Sequence, residues 1–226
     1  MNIIYSMTRN VYEQAVPSIR SLMHHNPKAK VYLMIEDDAF PYELPCDPAI
    51  INVSTQEFFK PDSPNYRNRF SYINLLKVAY PVLLDPMKKV IHLDIDTIVN
   101  GSLEGLWKTD LKGKWYGAVP QYRGEYTQTG DAYYNMGVAI FNLDQMRRDG
   151  ATEILAEYLN THETLYADQD AWNLHTDKAV AVDVRFNENW ATGETDDPAI
   201  VHYCGISDWY TNEHLFRKEY LDEWKK

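Results

Sequence analysis

Three short runs constrain this chain more than any other feature: residues 2 to 7 (NIIYSM), 31 to 35 (VYLMI) and 89 to 93 (KVIHL) are almost wholly apolar and do not alternate. A strand with one face in water alternates apolar and polar positions. Runs without alternation suit strands covered on both faces, which a sheet achieves when helices pack above and below it. Between the first two runs, Val11, Ala15, Ile19, Leu22 and Met23 fall at helical spacing, with Thr8 and Asn10 as cap candidates. Pro17 lies inside that pattern and predicts a late start or a kink. Strand, helix, strand opens an α/β unit.

The rest of the chain continues in kind. Residues 41 to 65 carry five prolines and read as a loop-rich stretch with a short helical piece near Thr55 to Phe59. Residues 66 to 84 read as a buried-faced helix broken near Pro81. Trp115 to Val119 and Tyr133 to Leu143 look like strands, and Asp144 is placed to cap a helix running through Leu155 to Leu159. A short helix is expected after Asp168-Gln169-Asp170, then strands at Ala179 to Val184 and Ala199 to Tyr203. The tail from Glu213 to Trp224 is helical in pattern, its stripe of Phe216, Tyr220 and Trp224 expected to dock on the domain. No segment repeats and none is of low complexity, so one compact domain is expected over residues 1 to 226.

Charge and cysteine content remove several classes of function. The 22 Lys plus Arg against 33 Asp plus Glu give a formal charge of −11, the wrong sign for non-specific binding to nucleic acid or an anionic membrane. Cys46 and Cys204 are the only cysteines, which excludes a disulfide scaffold and a cysteine-based zinc site. No apolar run approaches the roughly 20 residues that span a bilayer, and the N-terminus lacks a secretory pattern. A cytoplasmic location is expected.

The KVIHL run ends in Asp94-Ile95-Asp96. Open α/β sheets gather ligands outside the carboxyl ends of their strands. Side chains two apart leave an extended chain on the same face, so Asp94 and Asp96 can reach one cation, and carboxylate oxygens suit Mg²⁺ or Mn²⁺. The spacing alone also allows a pair of loop-capping carboxylates, and Asp168 and Asp170 repeat it. His202 follows Ala199-Ile200-Val201 at another expected strand end, where it could be a structural residue or a ligand.

Taken together and in order, these pieces resemble the family 8 glycosyltransferases, retaining enzymes of the GT-A fold. The matches are the opening strand Asn2 to Ser6, Lys89 to Val99 with its D-x-D, the Leu103 to Trp107 segment, Tyr134 to Val138, Asp168-Gln169-Asp170 with Trp172-Asn173, Arg185-Phe186-Asn187 and His202 to Gly205. The resemblance implies an α/β, Rossmann-like open mixed sheet flanked by helices in a single domain. Residues 1–100 would form a nucleotide-binding half ending in the D-x-D motif, 101–212 a donor-sugar and acceptor half, and 213–226 a C-terminal helix.

By that resemblance, Asp94, Asp96 and His202 would hold Mn²⁺ or Mg²⁺ against the diphosphate of a UDP-sugar. Asn135 and Asp168 would meet the donor sugar, and Gln169 would lie near its anomeric carbon, with Asp170 in reserve as nucleophile or charge stabiliser. Ser6, Thr8, Asn10 and Tyr12 fall where the family holds the nucleoside. Lys77, Ile95 and Gly205 would complete the donor site, Gly205 by letting backbone approach the phosphates. The expected reaction is metal-dependent transfer of glucose or galactose to a hydroxyl of a saccharide acceptor. A non-catalytic nucleotide-sugar-binding domain and a nucleotide-sugar hydrolase are the alternatives. Tyr66, Tyr122, Tyr126 and Tyr133 are candidates to stack on acceptor sugars. The chain departs from the family where Gly205 runs into Ile206-Ser207-Asp208-Trp209 rather than Lys-Pro-Trp, and at Asn74, where an arginine is usual; Lys77 or Arg69 could supply that charge.

Overall fold

The computed structural model describes residues 1–67, 70–123 and 132–225. In chain order it contains β1 (Asn2–Ser6), α1 (Tyr12–His25), β2 (Lys30–Ile35), β3 (Ala49–Asn52), α2 (Ser71–Leu75), α3 (Tyr80–Leu83), β4 (Lys89–Leu93), β5 (Thr97–Val99), α4 (Glu104–Trp107) and β6 (Tyr116–Gln121). There follow β7 (Tyr133–Asn142), α5 (Leu143–Asp149), α6 (Ala151–Thr161), α7 (Asp168–Asn173), β8 (Ala179–Ala181), β9 (Ile200–His202) and α8 (Lys218–Trp224). Arg69 and Tyr126, both singled out from the sequence, lie outside the described residues.

Seven strands form one sheet in the order β3-β2-β1-β4-β7-β6-β8. Only β7 runs against its neighbours, antiparallel to both β4 and β6. The expected open mixed α/β sheet is therefore present, and the non-alternating runs have the expected cause. In β4, Val90 belongs to one buried layer and Ile91 and Leu93 to the other, and Ile4 and Ile3 of β1 divide in the same way. Period-two side chains thus feed a core on each face, one under α1 and α4, the other under α2, α3, α5, α6 and α7. A small third cluster, with Val201, Tyr203, Trp209 and Leu221, lies beneath the C-terminal segment.

Several boundaries differ from the sequence expectation, each for a local reason. Pro17 neither delays nor ends α1, which runs through it from Tyr12 to His25. Ala49–Asn52 is an edge strand, parallel to β2, within the proline-rich stretch, and no helix forms over residues 55–59. The helix of 66–84 breaks not at Pro81 but into a 3-10 stretch over Leu76–Ala79; Pro81 sits in the first turn of α3, where its missing N–H costs no bond. One expected helix after Leu143 is two, because Gly150 adopts a left-handed φ of 66° between α5 and α6. The cap of α5 is Asn142, whose side chain accepts from Gln145 N–H, and not Asp144. The tail is helical only over α8, where Leu221 is the buried residue and Trp224 meets the rings of His24 and His25; Phe216 is exposed outside the helix. Among the described residues no helix is long and apolar enough to cross a membrane.

A register shift between β6 and β7 positions the site. Ala118 pairs with Ala139 and Val119 with Asn135, so Met136, Gly137 and Val138 have no partner on β6. Such a bulge releases backbone groups from the ladder. Here it does so beside the carboxyl end of β4.

Candidate functional site

Asp94 follows the last residue of β4, and Asp96 stands two residues on, just before β5. The connection is tightly bonded: Asp94 N–H donates to Gly137 C=O at 2.7 Å, Thr97 Oγ1 to Asp94 C=O at 2.7 Å, and Tyr203 N–H to Asp96 C=O at 2.9 Å. Pairing of β5 with β9 sets Thr97 opposite His202. As a result, one ligand atom from each of Asp94, Asp96 and His202 lies within 4.8 Å of the others.

These three residues fit a hard divalent cation, on observations independent of spacing. His202 is buried, and its Nε2 makes no well-directed hydrogen bond although Asp96 Oδ1 is 3.2 Å away and Asp94 Oδ2 3.9 Å. Burial opposes a charge on this imidazole, yet the two carboxylates outweigh it and raise its pKa, so the pocket calls for positive charge. Gly137 forms the floor. A Cβ there would stand 2.2 Å from His202 Cε1 and 2.7 Å from Asp94 Oδ2, so only glycine leaves both side chains their places. Carboxylate oxygens and one imidazole nitrogen are a donor set for Mn²⁺ or Mg²⁺.

A buried charge cluster adjoins this trio. Lys77, on the 3-10 stretch and 4% exposed, lies 3.5 Å from Asp94 Oδ1 and 3.3 Å from Asp168 Oδ2. Desolvation would lower the Lys77 pKa, but Asp168 and Asp94 more than offset it, and the ammonium persists. Asp168 is pushed up to about 6, by burial and by Asp94 against the pull of Lys77. Asp94 stays well below the usual carboxylate range despite burial, because Lys77 and His92 favour its charged form. His92 itself is pushed down to about 4 by burial and by Lys77. Being neutral, it donates Nε2–H to Asp94 Oδ1 at 2.8 Å, and its Nδ1 then accepts from Tyr80 O–H at 2.8 Å. Lys77 thus places a charge in this helical region, whereas Asn74 bonds back to Phe70 C=O.

The other sequence candidates fall around this centre in different ways. Asn135 and Gln169 are both held by the bulge: Gly137 N–H donates to Asn135 Oδ1 at 3.1 Å and Met136 N–H to Gln169 Oε1 at 2.9 Å. Gln121 Oε1 receives Asn135 Nδ2 at 3.1 Å and Gln169 Nε2 at 3.3 Å. Asp170 is occupied as a brace, accepting from Tyr133 O–H and from the backbone N–H of Leu165 and Tyr166. Ser6 ends β1 and is buried. Thr8 bonds to Asn10, and Tyr12, itself buried, donates to Asp37, which Arg9 also pairs. Ile95, partly buried against the α1-side core, spans the two acids. Gly205 has a left-handed φ of 75°, an open conformation for glycine at the far rim.

Of the stacking candidates among the described residues, Tyr66 lies flat on Tyr72, Tyr133 is buried and Tyr122 is exposed. Sequence reasoning gave Gly137 no role beyond its place in the Tyr134 to Val138 match, and passed over Gln121 and Trp190. Trp190 is half exposed, its indole N–H held by Cys204 C=O at 3.0 Å beside Gly205, and Tyr122 N–H donates to the adjoining Ala191 C=O. A glycine after Asn-Met in an otherwise apolar strand was the one signal available for the bulge.

The model of the family described as "Glycosyl transferase family 8" matches residues 2–208. Glycosyltransferase GlyB of Streptococcus pneumoniae is 25% identical over 92% of this chain, and general stress protein A of Bacillus subtilis is 26% identical over 73% of it. The chain spans 57% of the length of GlyB and 71% of that of the Bacillus protein. The solved structure of the galactosyltransferase LgtC, in complex with donor and acceptor sugar analogues, has a similar fold: TM-score 0.77 at 20% identity, over 100% of this chain and 95% of that one.

Proposed function

Because the chain belongs to glycosyl transferase family 8, we propose that it moves a hexose, glucose or galactose, from a UDP-sugar to a hydroxyl of a saccharide acceptor, with retention at the anomeric carbon. The observation that carries this reading is the convergence of Asp94, Asp96 and His202 over the Gly137 floor, with Lys77, Asp168 and Gln169 beside it. Mn²⁺ or Mg²⁺ held there would supply Lewis-acid stabilisation of the leaving diphosphate.

The chain's own residues do the positioning. Lys77 pairs with both Asp168 and Asp94 and so holds the two carboxylates in place; Asp168 would accept from a sugar hydroxyl. Gln169 directs its oxygen to Met136 N–H and its amide hydrogens toward Gln121 and Tyr133. An amide so committed is a poor nucleophile, and the three bonds to Asp170 hold that carboxylate to its loop. Both facts favour a front-face route, in which acceptor and leaving group share one side of the sugar. Tyr122 and Trp190 offer exposed aromatic faces at the rim for the acceptor.

Calorimetric titration of UDP with and without Mn²⁺, on the wild type and on Asp96→Asn, tests the reading without knowledge of the acceptor. UDP binding by the wild type should require Mn²⁺. The variant should lose that binding and all sugar transfer while melting within about 2 °C of the wild type, as a substitution outside the core does. Metal-independent UDP binding, or full activity in the variant, would sink the metal assignment. Metal-dependent binding with UDP release that no saccharide accelerates would favour a hydrolase.

A further inference from the structure

We infer that Asn187 is a positioning residue of this centre: it fixes His202 in the tautomer whose bare Nε2 faces Asp94 and Asp96, and its own orientation is dictated by a backbone N–H of β7 through Asn135. The inference rests on the metal reading above and adds to it how the ligand is prepared.

The argument follows from which groups can only donate. A backbone N–H is such a group, and Gly137 N–H, freed by the bulge, points at the Asn135 side chain at 3.1 Å. The atom it meets must be the Asn135 oxygen. Asn187 approaches that same oxygen at 2.9 Å and so must present its NH₂. The other end of the Asn187 amide is therefore the oxygen, which lies 2.8 Å from His202 Nδ1 and also receives Asn189 Nδ2 at 3.1 Å. An amide oxygen cannot donate, so Nδ1 carries the hydrogen. In a neutral imidazole the opposite nitrogen is then a bare lone pair. That is Nε2, buried, without a hydrogen bond and against two carboxylates, an arrangement that a cation relieves.

Reversing the Asn187 amide would put hydrogen on the wrong nitrogen, and the chain offers no room for it. Asn187 is fully buried, and Asn189 is itself pinned by the N–H groups of Ala191 and Thr192. The same bulge aims Met136 N–H at Gln169, so one irregularity in β7 orients both a ligand's support and the amide at the sugar end. Outer partners of this kind are expected to influence metal affinity strongly.

The test is Mn²⁺ binding in the presence of UDP, followed by the electron paramagnetic resonance of free Mn²⁺, on the wild type, His202→Ala, Asn187→Ala and Asn187→Asp. Asn187→Ala removes the acceptor and should weaken Mn²⁺ binding by about 10–100-fold, whereas Asn187→Asp keeps an acceptor oxygen on Nδ1–H, although it loses the donor to Asn135 Oδ1, and should lose clearly less affinity than Asn187→Ala. Wild-type affinity in Asn187→Ala with loss in His202→Ala would overturn the inference, as would equal loss in both Asn187 variants. Wild-type affinity in His202→Ala would instead overturn the metal reading itself. Should Asn187→Ala fail to fold, ¹⁵N-histidine spectra of the wild type with Mg²⁺ and UDP decide the matter. Hydrogen on His202 Nδ1 is expected, and hydrogen on Nε2 overturns the inference.

Discussion

Gly137 shows how much a single missing carbon can matter. Its ideal Cβ would come within 3 Å of both Asp94 and His202, and the nearest atoms belong to short, buried or braced side chains that have little room to move. Gly137→Ala should therefore weaken Mn²⁺ binding at least about tenfold, in line with displaced ligand support, with a loss of unfolding free energy of about 1–3 kcal/mol from overpacking. Unaltered metal affinity would place the cation elsewhere. Asp94, Asp96 and His202 could be read from the sequence because acids and a histidine after apolar runs stand at strand ends. Gln121 could not, since only the β6–β7 register brings it to Asn135 and Gln169. The bulge that sets this register leaves no period in the sequence; it is a matter of which residues lack partners, and that is decided by pairing.

At the scale of elements, the strands with continuous apolar runs were legible because burial on both faces is written directly in their composition. Helix boundaries were less so. Asn142 and Asp144 are both plausible caps by residue type, and the choice falls to Asn142 because β7 ends there and turns its side chain toward Gln145 N–H. Asp144 lies inside the first turn and pairs with Arg147 at 3.2 Å, partly exposed. Asn142→Ala should cost about 1 kcal/mol of stability as a lost N-cap, and Asp144→Ala about 0.5 kcal/mol or less as a surface pair. Urea denaturation of the two variants checks the order, and a reversed order would return the cap to Asp144. Gly150 could have been recognised as a helix end, but the chain resumes helix at once in α6, so the apolar spacing reads as continuous.

Across the whole molecule, an ion pair between Arg217 and Glu188 ties the C-terminal segment to the strands beside the centre. Glu188 is fully buried between Asn187 and Asn189; its Oε1 accepts from Arg217 Nη2 at 2.9 Å and from Thr195 N–H at 2.9 Å. Its backbone also pairs with both Ile200 and His202. Arg217→Ala should leave that carboxylate buried without its partner, at a cost of about 3 kcal/mol and a melting temperature lower by roughly 6–12 °C. A change below about 0.5 kcal/mol would mean that solvent readily replaces the guanidinium, as at an exposed pair. This link joins residues 29 positions apart and was not visible in the sequence, where Arg217 falls inside the helical tail expected from Glu213 to Trp224. The charge cluster at the centre also bears on how a donor arrives. Lys77 pairs with Asp94 and Asp168, and Asp96 lies against His202, so among these residues three carboxylates outnumber the one ammonium, within a chain of net charge −11, and the local and distant fields share a sign. A bare nucleotide diphosphate is repelled at long range, and a divalent cation is drawn in. Added salt, by shortening the reach of that field, would then speed capture of the anionic donor rather than slow it.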